Sequence, residues 1–198
     1  MKGRLLDVGC GRMPYRQEIL ETSSVTAYWG MDIEGAFLYD ESLHPDLTWD
    51  GVSMPIPDES FDCVLATEVF EHVPDIDCLL REIKRVLKPE GVIYFTTPFL
   101  WPYHEVPHDC QRWTSFGLQQ RLKSAGFREI KTESRGNWHS SLAQFIGLWV
   151  ARAPMNGSLR RLLKFPVFWI QKVLMKNDSE SIDEENSMPR MIVGTAKR

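Results

Sequence analysis

Short apolar runs alternate along this chain with stretches whose apolar residues recur at helical spacing. The runs predict strands near Arg4–Val8, Tyr28–Ile33, Leu47–Trp49, Phe61–Ala66, Gly91–Thr97, Phe127–Glu133 and Met191–Ala196. The clearest predicted helix is Asp75–Leu87. Ile76, Leu79, Leu80, Ile83, Val86 and Leu87 share one face there, and Lys88-Pro89-Glu90-Gly91 stops it. A second helix is expected over Ser115–Ala125, ended by Gly126. Alternation of strands and helices predicts an α/β fold with a mainly parallel, doubly wound sheet covered on both faces. No internal repeat is visible.

Residues 139–177 break the pattern. They hold no Asp or Glu, six Lys or Arg, and many large apolar side chains. Two helices are expected, about His139–Arg152 and Ser158–Lys176, with Pro166 kinking or restarting the second. The reading is a single domain over 1–198 with a helical insertion before the last strand. The insertion would serve as a lid beside an acceptor cleft, a homodimer interface or a peripheral contact with an anionic membrane. The acidic, polar residues 178–187 read as a mobile loop.

Composition narrows the function. The 198 residues suit one α/β domain, and a net charge of −4 gives no overall basic field for nucleic acid. No apolar run reaches a membrane span. The chain enters a strand at once, so no signal peptide is expected. Cys10, Cys63, Cys78 and Cys110 are widely spaced, which predicts reduced thiols in a cytoplasmic protein rather than a disulfide framework. No metal is expected, because Cys110, His104 and His108 match no zinc spacing.

Residues 5–11 read Leu-Leu-Asp-Val-Gly-Cys-Gly, and Asp32 closes the next apolar segment. A strand, a glycine turn and a carboxylate after the following strand form the layout of an adenosine-cofactor site. The glycines let backbone approach a ligand. The carboxylate accepts from a ribose diol.

In these residues the chain resembles the class I S-adenosylmethionine-dependent methyltransferases, in particular the methyltransferase type 11 group. The resemblance covers roughly residues 4–134 and the final strand. It rests on Leu6-Asp7-Val8-Gly9-Cys10-Gly11, Gly30-Met31-Asp32, Met54-Pro55-Ile56-Pro57-Asp58-Glu59-Ser60-Phe61-Asp62, Glu71-His72-Val73 and Leu87-Lys88-Pro89-Glu90-Gly91. It implies a Rossmann-like seven-stranded sheet and S-adenosylmethionine as cofactor. By position, Gly9 and Gly11 would lie against the methionyl part and Asp7 would orient its amino group. Asp32, with Ile33 beside it, would bind the ribose, and Asp50 and Gly51 would sit beside the adenine. Thr67 and Glu68 would line the methyl-transfer cleft. Two departures stand out. The family's third glycine is Met13 here, followed by Pro14, so the turn is expected to leave differently. The chain also starts at the first strand, without the preceding helix of relatives. That implies a more open site, a fragment or a short member.

Methyl transfer from a sulfonium needs alignment and, for a hydroxyl or amine acceptor, removal of a proton. The candidate bases are His104 and His108, which follow the fifth strand in His104-Glu105-Val106-Pro107-His108-Asp109-Cys110-Gln111-Arg112-Trp113-Thr114. The resemblance implies an acceptor-side role for His104, Pro107, Asp109, Arg112 and Thr114. A structural reading of the same segment pairs Asp109 with Arg112 and has Thr114 or Ser115 cap the next helix. His72 is open to both a catalytic and a packing role. The function expected is methyl transfer to a small-molecule or glycan-like acceptor, first on oxygen. The alternatives are a non-catalytic S-adenosylmethionine-binding regulator or partner protein, and an NAD-dependent enzyme.

Overall fold

The computed structural model describes residues 1–35, 44–178 and 184–198. It divides into two compact units. The first comprises Met1–Thr97, Tyr103–Glu133 and Val193–Arg198, and the second Pro98–Pro102 and Ser134–Ile192.

Seven strands form one sheet: β1 (Lys2–Val8), β2 (Ser24–Ile33), β3 (Leu47–Trp49), β4 (Phe61–Thr67), β5 (Leu87–Pro98), β6 (Arg128–Arg135) and β7 (Met191–Lys197). Their order is β3-β2-β1-β4-β5-β7-β6. The pairs β1–β2, β1–β4, β2–β3 and β4–β5 are parallel. Arg198 N donates to Gly91 O, while Phe99 N and Leu100 N donate to Arg190 O. The end of β7 therefore meets the start of β5 and the reverse, so β7 runs antiparallel to it.

The central strands are apolar on both faces because helices cover both. Leu5, Leu6, Val8, Val64, Ala66, Ile93 and Phe95 are all at most 2% exposed. Helix α1 (Arg16–Thr22) follows β1, and α2 (Ile76–Val86) follows β4. The stripe of α2 is buried as its spacing predicts, and each such side chain contributes about 1.5–3 kcal/mol. Asp75 starts α2 by accepting from Cys78 N at 2.9 Å. Thr114 does the same for α3 (Ser115–Ser124) through Gly117 N at 3.1 Å.

Much of the remaining sequence motif fastens loops to this frame. Arg85 donates to Met54 O, Ile56 O and Asp58 Oδ1 at 2.7–3.0 Å, which pins the segment before β4 onto α2. Asp62 accepts from Arg4 N and from Lys88 Nζ, both at 2.8 Å.

In the second unit, α4 (Trp138–Arg152) packs on α5 (Gly157–Lys176). Gln171 Nε2 donates to Ala143 O at 3.0 Å, and a Cβ on Gly147 would lie 2.2 Å from the same Nε2. α5 continues across Pro166 as one helix, so of the expected kink or restart the restart does not occur. Most of the loop expected over 178–187 lies outside the described residues, and Glu184–Asn186 form a 3-10 turn. No helix among the described residues is long and apolar enough to cross a membrane.

Candidate active site

The strand order reverses between β1 and β4, and in such sheets ligands bind at the C-terminal ends of the strands flanking that switch point. Gly9 opens the turn after β1 with φ +66°, and a Cβ on it would lie 2.6 Å from Val69 Cγ2 of the turn after β4. Glycine there lets the two turns touch. The turn spends its donors internally. Gly9 N and Cys10 N both donate to Met31 O, at 2.8 and 3.2 Å, and Gly11 N donates to Asp32 Oδ2 at 2.9 Å. A pyrophosphate site needs such N–H groups directed at the ligand. Here they point into β2.

Met13 itself adopts the left-handed backbone, with φ 52°. Its sulfur covers Gly30, where a Cβ would lie 2.6 Å from Met13 Sδ and 2.9 Å from Cys10 Sγ. The missing third glycine is thus replaced by a strained residue whose side chain packs, and the turn keeps a glycine-like conformation.

The acids line up along the strand ends. Asp7 is 1% exposed, and its Oδ2 accepts from Tyr28 Oη while Oδ1 has no partner. Burial pushes its carboxyl up to about 7, against the Tyr28 hydrogen bond, with Asp32 adding to the rise. Asp32 accepts from Gly11 N through Oδ2 and from Ile33 N through Oδ1, at 2.9 and 2.8 Å. Each oxygen keeps acceptor capacity. Asp50 accepts from Val52 N and Ser53 N, both at 2.8 Å, and these bonds hold its carboxyl below the usual range. Gly51 has φ +84°, and a Cβ on it would lie 3.3 Å from Ile33 Cδ1. Thr67 ends β4 opposite Thr96. Glu68, at φ 55°, accepts from Thr96 Oγ1 at 2.7 Å. Burial pushes the Cys10 thiol up to about 12, which makes it a packing group rather than a nucleophile.

A second cluster follows β4 and β5. Glu71 is fully buried, and its Oε1 has no hydrogen-bond partner. Its Oε2 lies 3.5 Å from Thr97 Oγ1. Burial pushes the Glu71 carboxyl up to about 8. His104 Nε2 lies 3.9 Å from Glu71 Oε1, and His104 Nδ1 lies 3.3 Å from Asp109 Oδ2. That second contact is within ion-pair reach without hydrogen-bond alignment. Arg112 grips Asp109 through both terminal nitrogens, and its guanidinium holds the Asp109 carboxyl down at about 2. His72 Nε2 lies 3.7 Å from Glu71 Oε1 and 3.8 Å from Glu105 Oε2, and its Nδ1 is 3.2 Å from His108 O. The rings of His72 and His104 meet edge to face, with centroids 4.7 Å apart. Cys110 N and Gln111 N donate to Glu71 O, and Trp113 Nε1 and Gln111 Nε2 donate to Phe70 O, which ties the two loops together.

The structure therefore brings His104 into a buried network and leaves the His108 side chain exposed, with its carbonyl as the contributing group. Glu71 stands in the Glu71-His72-Val73 motif, but sequence reading assigned it no role of its own. Its signal was the adjacent Glu-His pair after a strand, but partners 33 positions away in sequence gave no spacing to read. Among the described residues, Glu71, His72 and His104 also place one ligand atom each within 4.8 Å of the others, the separation a metal ion can bridge.

Residues 6–95 match the family model described as Methyltransferase domain. The chain is 32% identical over 136 residues to a probable phthiotriol/phenolphthiotriol dimycocerosates methyltransferase of Mycobacterium ulcerans, covering 66% of this chain and 50% of that one. It is 30% identical over 104 residues to the ubiquinone biosynthesis O-methyltransferase of Pseudomonas entomophila, covering 48% and 44%. Among solved structures, a SAM-dependent methyltransferase from Archaeoglobus fulgidus superposes with a TM-score of 0.61 at 17% identity, covering 100% of this chain and 86% of that one. The chain spans between 26% and 63% of the length of the first curated relatives it matches. The family match lies over the glycine turn, the Asp32 strand and the Glu71 turn, so residues 6–95 are similar to the methyltransferase domain family, which supports the class I S-adenosylmethionine-dependent fold expected from the sequence.

Proposed function

We propose that this chain transfers a methyl group from S-adenosylmethionine to a hydroxyl of a small-molecule or glycan-like acceptor, with His104 as the base. The residues present fit the cofactor. Asp7 offers a buried, unpartnered oxygen beside the turn, suited to an ammonium, and Asp32 keeps acceptor capacity for a diol. Gly9 and Gly11 would flank the methionyl part, Ile33, Asp50 and Gly51 the adenosine, and Thr67 and Glu68 the transferred methyl. When bound, the cofactor supplies an electrophilic methyl on a sulfonium sulfur. The internally used N–H groups of the turn count against NAD, whose pyrophosphate would need them.

The observation that carries the catalytic reading is the chain Arg112–Asp109–His104. Asp109 is ionised across the neutral range and faces His104 Nδ1. A proton on Nδ1 leaves Nε2 with its lone pair, the form a base requires, and the carboxylate stabilises the imidazolium that follows. Glu71, protonated near neutrality by burial, leaves Asp109 as the carboxylate charge that faces His104. The test is a screen of hydroxyl acceptors with labelled cofactor, followed by His104→Gln. Turnover should fall roughly 10²–10⁴-fold while S-adenosylhomocysteine affinity holds. Undiminished turnover in the variant would remove His104 as the base. Cofactor binding without turnover on any acceptor would favour a regulatory role instead.

One observation favours a second reading of the same cluster. His72 Nδ1 is braced by His108 O, His104 Nδ1 faces Asp109 Oδ2 at 3.3 Å, and both Nε2 atoms lie within 3.9 Å of Glu71 Oε1. Two imidazoles so placed beside a carboxylate also suit a divalent metal. Activity lost to a chelator and restored by added metal would select it.

A further inference from the structure

The helical unit carries large apolar side chains on its outward faces as well as its inward ones. α5 buries Val167, with Leu163, Gln171 and Leu174 half-buried on the same side. On the opposite side Leu162, Phe165, Trp169 and Val173 follow one another at intervals of three and four residues, the spacing of a single stripe. α4 repeats the device with Trp138, Leu142, Phe145 and Trp149. All eight are between 49% and 72% exposed. Apolar stripes of this size mark a surface that something covers.

Charge indicates what covers it. All 27 acidic residues of the chain lie outside residues 139–177, which hold six of the 23 Lys and Arg. Arg161, Lys164 and Lys172 are exposed along the flank of the α5 stripe. Lys172 Nζ sits 4.7 and 5.3 Å from the ring centroids of Phe168 and Trp169, so cation and aromatics form one surface. A second copy meeting this face would set these cations against their own equivalents. An anionic lipid surface accepts both components, headgroup phosphates taking the cations and the acyl boundary taking the stripe. The helix does not span a bilayer, and at 20 residues it lies about 30 Å along such a surface.

We infer that α5 docks in the plane of an anionic membrane surface, inserting Leu162, Phe165, Trp169 and Val173 and setting Arg161, Lys164 and Lys172 among the phosphates. This does not rest on the chemistry proposed for His104. It places the enzyme where a lipid-borne acceptor is presented.

The experiment is co-sedimentation of the whole chain with vesicles of phosphatidylcholine alone or mixed with phosphatidylglycerol. Binding is expected to the mixed vesicles only and weakens as salt is raised. Phe165→Ser with Trp169→Ser, and separately Lys164→Gln with Lys172→Gln, should each lower partitioning by roughly tenfold or more. Unchanged S-adenosylhomocysteine affinity verifies that each variant is folded. The lysine variant alters only exposed charge, so it remains informative if the aromatic one fails to fold. A chain that stays in the supernatant with anionic vesicles overturns the inference. So does equal binding to neutral ones, or a dimer in light scattering that the aromatic variant dissociates.

Discussion

Asp7 has the sharpest single-residue consequence. Its folded carboxyl titrates at about 7 because it is buried, while an unfolded one titrates near its ordinary value of 3.8. Between those values the folded chain holds a proton that the unfolded chain has lost. Stability therefore falls as pH rises through this window, by at most about 1.4 kcal/mol per pH unit from this group, and levels off above it. Asp7→Asn should flatten that decline in urea melts at pH 5 and pH 7.5. An unchanged slope would mean that other groups set it. If the ammonium of the cofactor sits on Asp7, binding should also release a proton near pH 6.5–7, visible as a dependence of binding heat on buffer. Asp32→Ala should cost roughly 1–3 kcal/mol of S-adenosylhomocysteine affinity, and calorimetry showing equal affinity would refute its ribose role. The place of both acids at the strand ends was legible in sequence because strand, turn and second strand keep them in a fixed local order. The surroundings of Glu71 were not. Its neighbour His104 reaches it only through the folding of two loops, and the tie between them is made by backbone groups of Cys110 and Gln111 that no side-chain pattern announces.

Elements were readable in proportion to how one-sided their burial is. α2 shows a buried stripe, a cap at Asp75 and a stop, and its predicted span differs from the observed one by a residue at each end. α1 has no buried residue, so its sequence carries no stripe, and it went unread. The first half of β2 alternates exposed and buried positions and includes Ser24 and Thr26, which hid four residues of that strand. At Pro166 the helix does not restart, because its second half is held to the first by their shared packing on α4. The stripe of α2 gives the prediction at this scale. Leu80→Ala, in a fully buried position, should destabilise the fold by about 2–5 kcal/mol, whereas Asp75→Ala should cost about 1 kcal/mol. Denaturant melts of both variants check the ranking, and equal losses would contradict the division between core and cap.

Across the whole molecule, every residue assigned to cofactor or acid-base chemistry belongs to the first unit, and the outward apolar stripes belong to the second. The sequence showed this division as a change in composition, acid-free against acid-rich, without showing which face of each helix turns outward. Exposure answers that. Leu162, Phe165 and Trp169 are each at least half exposed, so they add little to the stability of the chain in solution. Surface substitutions away from buried features usually move stability by no more than about 0.5 kcal/mol each. The triple variant Leu162→Ser, Phe165→Ser, Trp169→Ser should therefore unfold within about 1.5 kcal/mol of the parent. It should also bind S-adenosylhomocysteine with unchanged affinity and be more soluble. A loss of several kcal/mol would mean that these side chains are covered within the chain itself, as a lid would be. That outcome would leave no outward face for a membrane or any other partner to occupy.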